Sequence, residues 1–278
     1  MLQTIFHTFR LCQVCVDSVE SAFNAARGGA SRLEVCSALS EGGLTPSPGL
    51  LTVIQENVTI PCFAMIRPRT GDFVYSEMEL LAMEKDICAM IDSGAKGLVF
   101  GCLDIKGDVD VKQVTRLVST AKTKQSDISL TFHRAIDMAR DLHQAATTVA
   151  QLGFERILTS GGHSKALDGM ENIAALVRDL GDKVIVMPGG GISEDNLEEI
   201  QTKTKVRQTV RCTIQTNTSN FQCVEFHASA RVVKSSQMEH QNPTCSLGQA
   251  GRGEYSLMVT STDRVAKLIK IYKVTFFK

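Results

Sequence analysis

Short apolar runs alternate along the chain with longer amphipathic stretches, and the alternation occurs about eight times. An apolar run of four or five residues without helical period predicts a buried strand, whereas apolar residues three and four apart predict a helix. The predicted strands lie at 13–16, 32–36, 62–66, 97–101, 128–133, 156–159, 184–187 and 224–227. The predicted helices lie at 18–28, 50–56, 77–93, 111–122, 142–152, 167–180, after Ser193, and at 262–272.

The segment 183–196, KVIVMPGGGISEDN, illustrates the repeating unit. Its apolar run predicts a strand that ends at Pro188. Gly189, Gly190 and Gly191 leave the backbone free to turn tightly. Ser193 is a predicted N-cap. The carboxylates of two acidic residues in the first turn would interact favourably with the helix dipole.

About eight strand and helix alternations without a break in composition predict an α/β fold, a single (β/α)8 TIM-type barrel that occupies residues 1–278. An open doubly wound sheet is the alternative, but it fits less well because the glycine-rich element comes late in the chain. Residues 201–222 interrupt the pattern near the seventh helix. They are rich in Thr and Gln and predict an irregular surface insertion rather than a small basic binding loop.

Composition narrows the classes of function. The 278 residues carry 30 basic and 30 acidic side chains, a formal net charge of +0, so no overall basic field favours nucleic acid or an acidic membrane surface. No apolar run approaches the ~20 residues that span a bilayer. Nine cysteines, an odd number, are scattered along the chain, which favours reduced thiols in an intracellular protein.

Side-chain parity within the strands predicts a shared pocket. Successive residues of a strand face opposite sides, so the apolar residues that pack on helices identify the residues that face the barrel axis. Barrels place their sites at the carboxyl ends of the strands. The side chains predicted there are Cys15, Cys36, Arg67, His133 and His227, with Glu34 and Glu225 below them.

Cys15 and Cys36 are the candidate metal ligands. We expect them at equivalent heights on neighbouring strands, which lie ~4.8 Å apart, so that both sulfurs could reach one ion. Thiolates select Cu(I), or zinc where four ligands are available. The alternative is two small core residues, since free cysteine is commonly buried.

A second hypothesis is a barrel enzyme that acts on a small phosphorylated or carboxylated metabolite. Arg67 and the loop of Gly189, Gly190 and Gly191 would hold the anion, with help from the glycine-rich segment 159–162. His133, together with Glu34 or Glu225, would carry out the proton exchange of the reaction. A third possibility is a scaffold whose outer helices form an oligomer or partner surface.

Several segments resemble the CutC copper homeostasis family, among them VCVDSVESAFNAARGGASRLEVCS, MIRPRTGDFVYS, LTFHRAID, VMPGGGIS and EFHASAR. The resemblance implies a TIM-type barrel in the cytoplasm and also the nucleus, which self-associates as a homo-oligomer and binds copper as Cu(I). It implies that Cys15 and Cys36 hold the copper ion, and that Arg67, His133 and Asp137 are pocket residues. Gln13 stands where relatives tend to have an acidic residue.

Overall fold

A computed structural model describes residues 10–204, 208–210, 221–242, 244–245 and 254–275. Within them, eight parallel strands form a nearly closed barrel, which confirms the predicted TIM-type fold. The barrel strands are β1 (Arg10–Val16), β2 (Arg32–Val35), β3 (Cys62–Met65), β4 (Gly97–Phe100), β5 (Ser129–Phe132), β6 (Arg156–Thr159), β7 (Ile185–Pro188) and β9 (Phe221–Ala228).

The order of the sheet is that of a barrel. Strands β1 to β7 lie beside one another in chain order, and β9 pairs with the free side of β1. The ends of β7 and β9 meet at Gly189, where a Cβ atom would lie 3.2 Å from Cβ of His227. The absence of a side chain at Gly189 therefore lets the last two barrel strands approach each other.

Helices follow the strands on the outside of the barrel. They are α1 (Val19–Arg27), α2 (Pro48–Asn57), α3 (Glu77–Asp92), α4 (Val111–Lys124), α5 (Leu142–Gln151), α6 (Met170–Leu180), α7 (Leu197–Thr204) and α8 (Thr262–Thr275). Ser18, Ser47 and Ser76 cap the first three, and Ser76 forms a capping box with Glu79. Among the described residues, no helix is both long and apolar enough to cross a bilayer.

The apolar core lies in two layers, as side-chain parity predicts. The main layer packs the outward strand residues, such as Val14, Leu33 and Leu98, against the helices. A smaller cluster of Cys36, Phe63, Met65 and Val99 fills part of the barrel interior. Other inward positions carry the polar side chains that build the site, such as Glu34, His133 and His227.

Two parts of the fold differ from the sequence-based predictions. The stretch between the last barrel strand and α8 contains an antiparallel pair of strands, β10 (Arg231–Ser235) and β11 (Ser256–Thr260), neither of which is among the predicted strands. In the predicted insertion at 201–222, residues 201–204 complete α7, and β8 (Gln208–Val210) pairs antiparallel with β9. Residues 205–207 and 211–220 of that insertion lie outside the described part. The assignment of 1–278 to a single domain stays a prediction.

Candidate functional site

A cavity of about 320 Å³ opens at the carboxyl ends of the strands. Five of the residues predicted by parity line it: Cys15, Glu34, Arg67, His133 and His227. The alternation of side chains along the short strands was therefore sufficient to predict that these residues lie close together. Their chemical roles stay predictions. Glu34, expected below the pocket, forms part of its wall.

Cys36 does not line the cavity, unlike Cys15 and Glu34. Its side chain is fully buried in the interior apolar cluster, and its Sγ is 3.7 Å from Oε1 of Glu34. Burial raises the pKa of Cys36 well above its usual value, and the nearby Glu34 and Cys15 raise it further. Cys36 is therefore a neutral thiol at physiological pH in the absence of a metal.

The predicted equal height of the two cysteines is wrong. Cys15 pairs with Glu34 in the register of β1 and β2, which places Cys36 two residues beyond the partner of Cys15. Two residues along a strand span roughly 6.6 Å. The register depends on hydrogen bonds between strands, which the sequence of either strand alone does not reveal. Both thiols nevertheless face the barrel interior, in diagonal positions on one face.

Glu34 and His227 form a buried ion pair in the floor of the cavity. Nε2 of His227 lies 3.5 Å from Oε2 of Glu34. Burial lowers the pKa of His227, but the carboxylate of Glu34 and the thiol of Cys15 outweigh it and raise the value to about 10. Burial likewise opposes ionisation of Glu34, yet the imidazolium holds the pKa of this carboxyl below its usual value. Both groups are charged at neutral pH.

Arg67 extends from the end of β3 into the cavity wall. Its two terminal nitrogens donate to the backbone carbonyls of Glu41, Gly43 and Gly71, and its guanidinium lies 4.9 Å from the ring centre of Phe73. No ion pair joins Arg67 to a carboxylate among the described residues. Its Nε–H group is buried and has no acceptor of good hydrogen-bond geometry in that part of the chain, although the guanidinium interacts with the hydroxyl of Tyr75. Arg67 therefore brings a positive charge and an unused donor to the cavity.

His133 follows β5 and is held in one tautomer. Its Nδ1 accepts a hydrogen bond from the backbone N–H of Ala135 at 3.3 Å, so the ring proton must lie on Nε2. Burial and the nearby charge of Arg67 lower the pKa of His133 to about 3. Its Nε2–H is a second buried donor without an acceptor among the described residues.

Asp137 does not line the cavity but organises the loop beside it. The carboxylate accepts hydrogen bonds from the backbone amides of Ser160 and Gly162 and from the hydroxyls of Thr159 and Ser160. It also pairs with Arg134 at 2.8 Å. The amides of the segment 159–162, expected to help bind an anion, are thus already occupied by a carboxylate of the protein.

The loop of Gly189, Gly190 and Gly191 borders the cavity, but the predicted helix start at Ser193 is wrong. The helix α7 begins at Leu197, because the amide of Ser193 donates to Oδ1 of Asn196 and the intervening residues form turns. No helix N-terminus therefore adjoins the loop directly. Gly190 and Gly191 line the cavity with φ values of 96° and 71°, a conformation that glycine adopts without strain.

A second ionic cluster lies in the barrel interior below the cavity. Glu225 accepts hydrogen bonds from Arg32 at 2.5 Å and Arg156 at 3.0 Å. The two guanidinium groups also lie over the ring of Phe63, 4.7 and 5.3 Å from its centre. Sequence reasoning placed Glu225 here but missed both arginines, although the inward parity of Glu34 also applies to Arg32.

Two charged cavity residues were also missed, Arg134 and Arg231. Arg134 directly follows His133, and Arg231 begins β10, so strand parity could not place them. Arg231 lies 3.8 Å from Asp17, and its Nε has no hydrogen-bond acceptor among the described residues. With Arg67 and the imidazolium of His227, they make the cavity wall predominantly positive.

The described residues do not include a cluster of three or more His, Cys, Asp or Glu side chains arranged to hold a metal ion. The seven cysteines whose side chains are described are free thiols.

Eight parallel strands around a polar cavity at their carboxyl ends define a TIM-type barrel protein. The chain belongs to the CutC family, whose model matches residues 10–215. The structure of CutC from Streptococcus agalactiae is similar, with a TM-score of 0.68 and 26% identity over 79% of this chain and 98% of that one.

Two curated relatives match most of the chain. The copper homeostasis protein cutC homolog of Homo sapiens is 44% identical over 264 residues, covering 95% of this chain and 89% of the relative. A family protein CutC of Xylella fastidiosa is 40% identical over 260 residues, covering 93% and 87%. The resemblance inferred from the sequence motifs is confirmed.

Proposed function

We propose that the chain acts in copper homeostasis by binding Cu(I) through the thiolates of Cys15 and Cys36. The observation that carries the proposal is that both sulfur-bearing side chains face the barrel interior from neighbouring strands, near the cavity mouth. Two soft thiolates in a site that excludes most water favour Cu(I) over harder ions. The names of similar proteins, which refer to copper homeostasis, support a role in copper handling.

The charge of the cavity supports this proposal. Two thiolates and one Cu(I) carry a net charge of −1, which a buried site tolerates only when positive groups are close. The imidazolium of His227 and the guanidinium of Arg67 supply such charge. Since Cys36 is a protonated thiol without metal, Cu(I) binding must release a proton and weaken as the pH falls.

The proposal is tested by Cu(I) titration of reduced protein under anaerobic conditions, with a chromophoric competitor to measure affinity. We expect the double variant C15S/C36S to lose tight binding while its circular dichroism and melting remain close to wild type. The matched control is C12S, which places the same substitution on the opposite face of β1. Undiminished binding in the double variant would refute thiolate ligation by this pair.

We further propose a cytoplasmic and nuclear location and self-association as a homo-oligomer, both of which the family resemblance implies. Fractionation of cells that express a tagged full-length chain tests the location. Light scattering coupled to size-exclusion chromatography tests the assembly, and a strictly monomeric mass at all concentrations would exclude it.

A further inference from the structure

We propose that the cavity also binds a small metabolite through an oxyanion group, a carboxylate or a phosphate, held by Arg67, His133 and the loop amides of Gly190 and Gly191. The proposal does not rest on copper binding, although both ligands would use the same cavity. It assigns a role to the hydrogen-bond donors that the copper proposal leaves unused.

Several buried donors of the cavity residues lack hydrogen-bond acceptors among the described residues, and those of Arg67 and His133 have no carboxylate within ion-pair distance. Arg67 is 7% exposed and His133 is 3% exposed. Nε of the first and Nε2 of the second have no hydrogen-bond partner among the described residues. Buried donors are rarely left unsatisfied, because they lose their hydrogen bonds to water without replacement. Both groups only donate, so the partner that they lack is an acceptor.

The charge of the wall favours an anionic acceptor. Glu34 is already paired with His227, Arg134 is held by Asp137, and Arg231 faces Asp17 at 3.8 Å. Arg67 has no comparable carboxylate in the described part of the chain. A ligand that brings a negative charge would therefore neutralise a buried guanidinium that has no carboxylate partner in the described part of the chain.

The glycine loop provides additional donors on the same cavity. None of the described hydrogen bonds uses the amide of Gly190 or Gly191. The neighbouring segment 159–162 differs, since its amides already bind the carboxylate of Asp137. The backbone donors of the segment 159–162 are thus occupied, whereas those of Gly190 and Gly191 are available to a ligand. Backbone N–H groups in left-handed turns commonly form concave anion sites.

The size of the cavity limits the ligand. About 320 Å³ lies near the lower end of the range for small-molecule pockets. A compact metabolite with one or two oxyanion groups fits this volume, whereas a dinucleotide cofactor does not. Ordered water could also accept hydrogen bonds from Arg67 and His133. Measurement of anion binding separates that arrangement from a ligand site.

The experiment measures binding of inorganic phosphate and of succinate by calorimetry, with ionic strength held constant by chloride. We expect saturable binding of at least one probe. Saturation by phosphate alone identifies a phosphorylated ligand, and saturation by succinate alone identifies a carboxylate. In ¹⁵N-labelled protein, the amide resonances of Gly190 and Gly191 should shift with the same saturation curve.

Variants test the assigned donors. H133N retains an acceptor for the Ala135 amide but lacks the Nε2–H donor, and R67K retains the charge but lacks the Nε–H donor. We expect each to weaken binding at least tenfold, while H133Q, which supplies an amide donor near the Nε2 position, restores part of it. The control R140K alters an arginine that pairs with Asp108 on the surface and should leave affinity unchanged.

Two results would overturn the proposal: no saturable binding of either probe to the wild type, or equal affinity in wild type, R67K and H133N. The double variant C15S/C36S separates this proposal from the copper site. This double variant should retain oxyanion binding. Loss of Cu(I) affinity without loss of oxyanion binding would therefore not contradict the oxyanion site. Loss of oxyanion binding alone would likewise leave the copper proposal intact.

Discussion

Nδ1 of His133 accepts a hydrogen bond from the backbone N–H of Ala135, 3.3 Å away, and this contact helps keep the imidazole neutral inside the protein. Protonation of the ring would break the contact and place a second cation beside Arg67. Burial and that neighbouring charge lower the pKa of His133 to about 3. The histidine is therefore fixed as a hydrogen-bond donor at Nε2.

Acid should destabilise the protein through His133. Its pKa is about 3 in the folded state against 6.5 in the unfolded chain, so between these values the unfolded state binds the additional proton. The contribution of neutral His133 to the free energy of unfolding is then fully present above about pH 6.5 and falls as the pH decreases. Between about pH 7 and pH 5 this histidine alone should remove about 2 kcal/mol from the free energy of unfolding.

Urea denaturation of wild type and H133N at the two pH values measures this contribution. The variant should lose about 2 kcal/mol less than the wild type on acidification. H163N, which alters an exposed histidine, is the control and should follow the wild type. An identical pH dependence in wild type and H133N would show that His133 titrates normally.

The buried cluster around Glu225 should be sensitive to loss of its single carboxylate. E225Q would leave Arg32 and Arg156 as buried cations beside Phe63 without the carboxylate that both of them bind. Removing one member of a buried ionic group costs about 3–5 kcal/mol. We expect a loss of this order in the free energy of unfolding, or failure to accumulate folded protein.

E84Q provides the matched control for E225Q. Glu84 also binds an arginine through both carboxylate oxygens, but its pair with Arg116 lies at the surface between α3 and α4. Solvent screening makes such pairs weak, so this variant should unfold close to wild type. Comparable losses in both variants would contradict a special role for burial around Glu225.

Asp137 should determine the conformation of the loop at 159–162. D137N replaces one carboxylate oxygen with an amide donor that faces the N–H groups of Ser160 and Gly162, so at least one hydrogen bond becomes a repulsive contact. We expect a loss of about 1–3 kcal/mol and altered amide shifts for this loop. D182N, in an exposed turn, should change neither the stability nor those shifts.

The sequence predicted those features of the site that depend on local periodicity. Strand parity placed Cys15, Arg67 and His133 on the barrel interior because side chains alternate regardless of tertiary contacts. It could not give the relative heights of Cys15 and Cys36, since register is set by hydrogen bonds between strands.

Contacts between strands that are distant in the chain also could not be predicted from the sequence pattern. Arg32, Arg156 and Glu225 come from three strands that are far apart in the chain, and only closure of the barrel brings them together. The segment 159–162 looked like an anion loop, but nothing local indicated that Asp137, from the preceding unit, would occupy its amides. The composition of a glycine loop therefore predicts an anion-binding geometry without showing which anion fills it.

The interior packing makes a last prediction at Gly97. This residue lies opposite Phe63 in the register of β3 and β4, and a Cβ atom there would lie 2.6 Å from the aromatic ring. The ring cannot retreat freely, because Arg32 and Arg156 both contact it. G97A should therefore displace the ring and both guanidinium groups at a cost of about 1–3 kcal/mol.

The control for this variant is G49A, near the start of α2, where an added Cβ atom has no neighbour within 4 Å. Alanine has a higher helix propensity than glycine, so this change should leave stability equal or slightly increased. Gly97 and Gly49 both lie outside the left-handed region, which leaves steric contact with Phe63 as the difference between them. Equal melting temperatures for G97A and G49A would mean that the interior of the barrel can adjust around the ring, which would contradict tight packing of Phe63 against the two arginines.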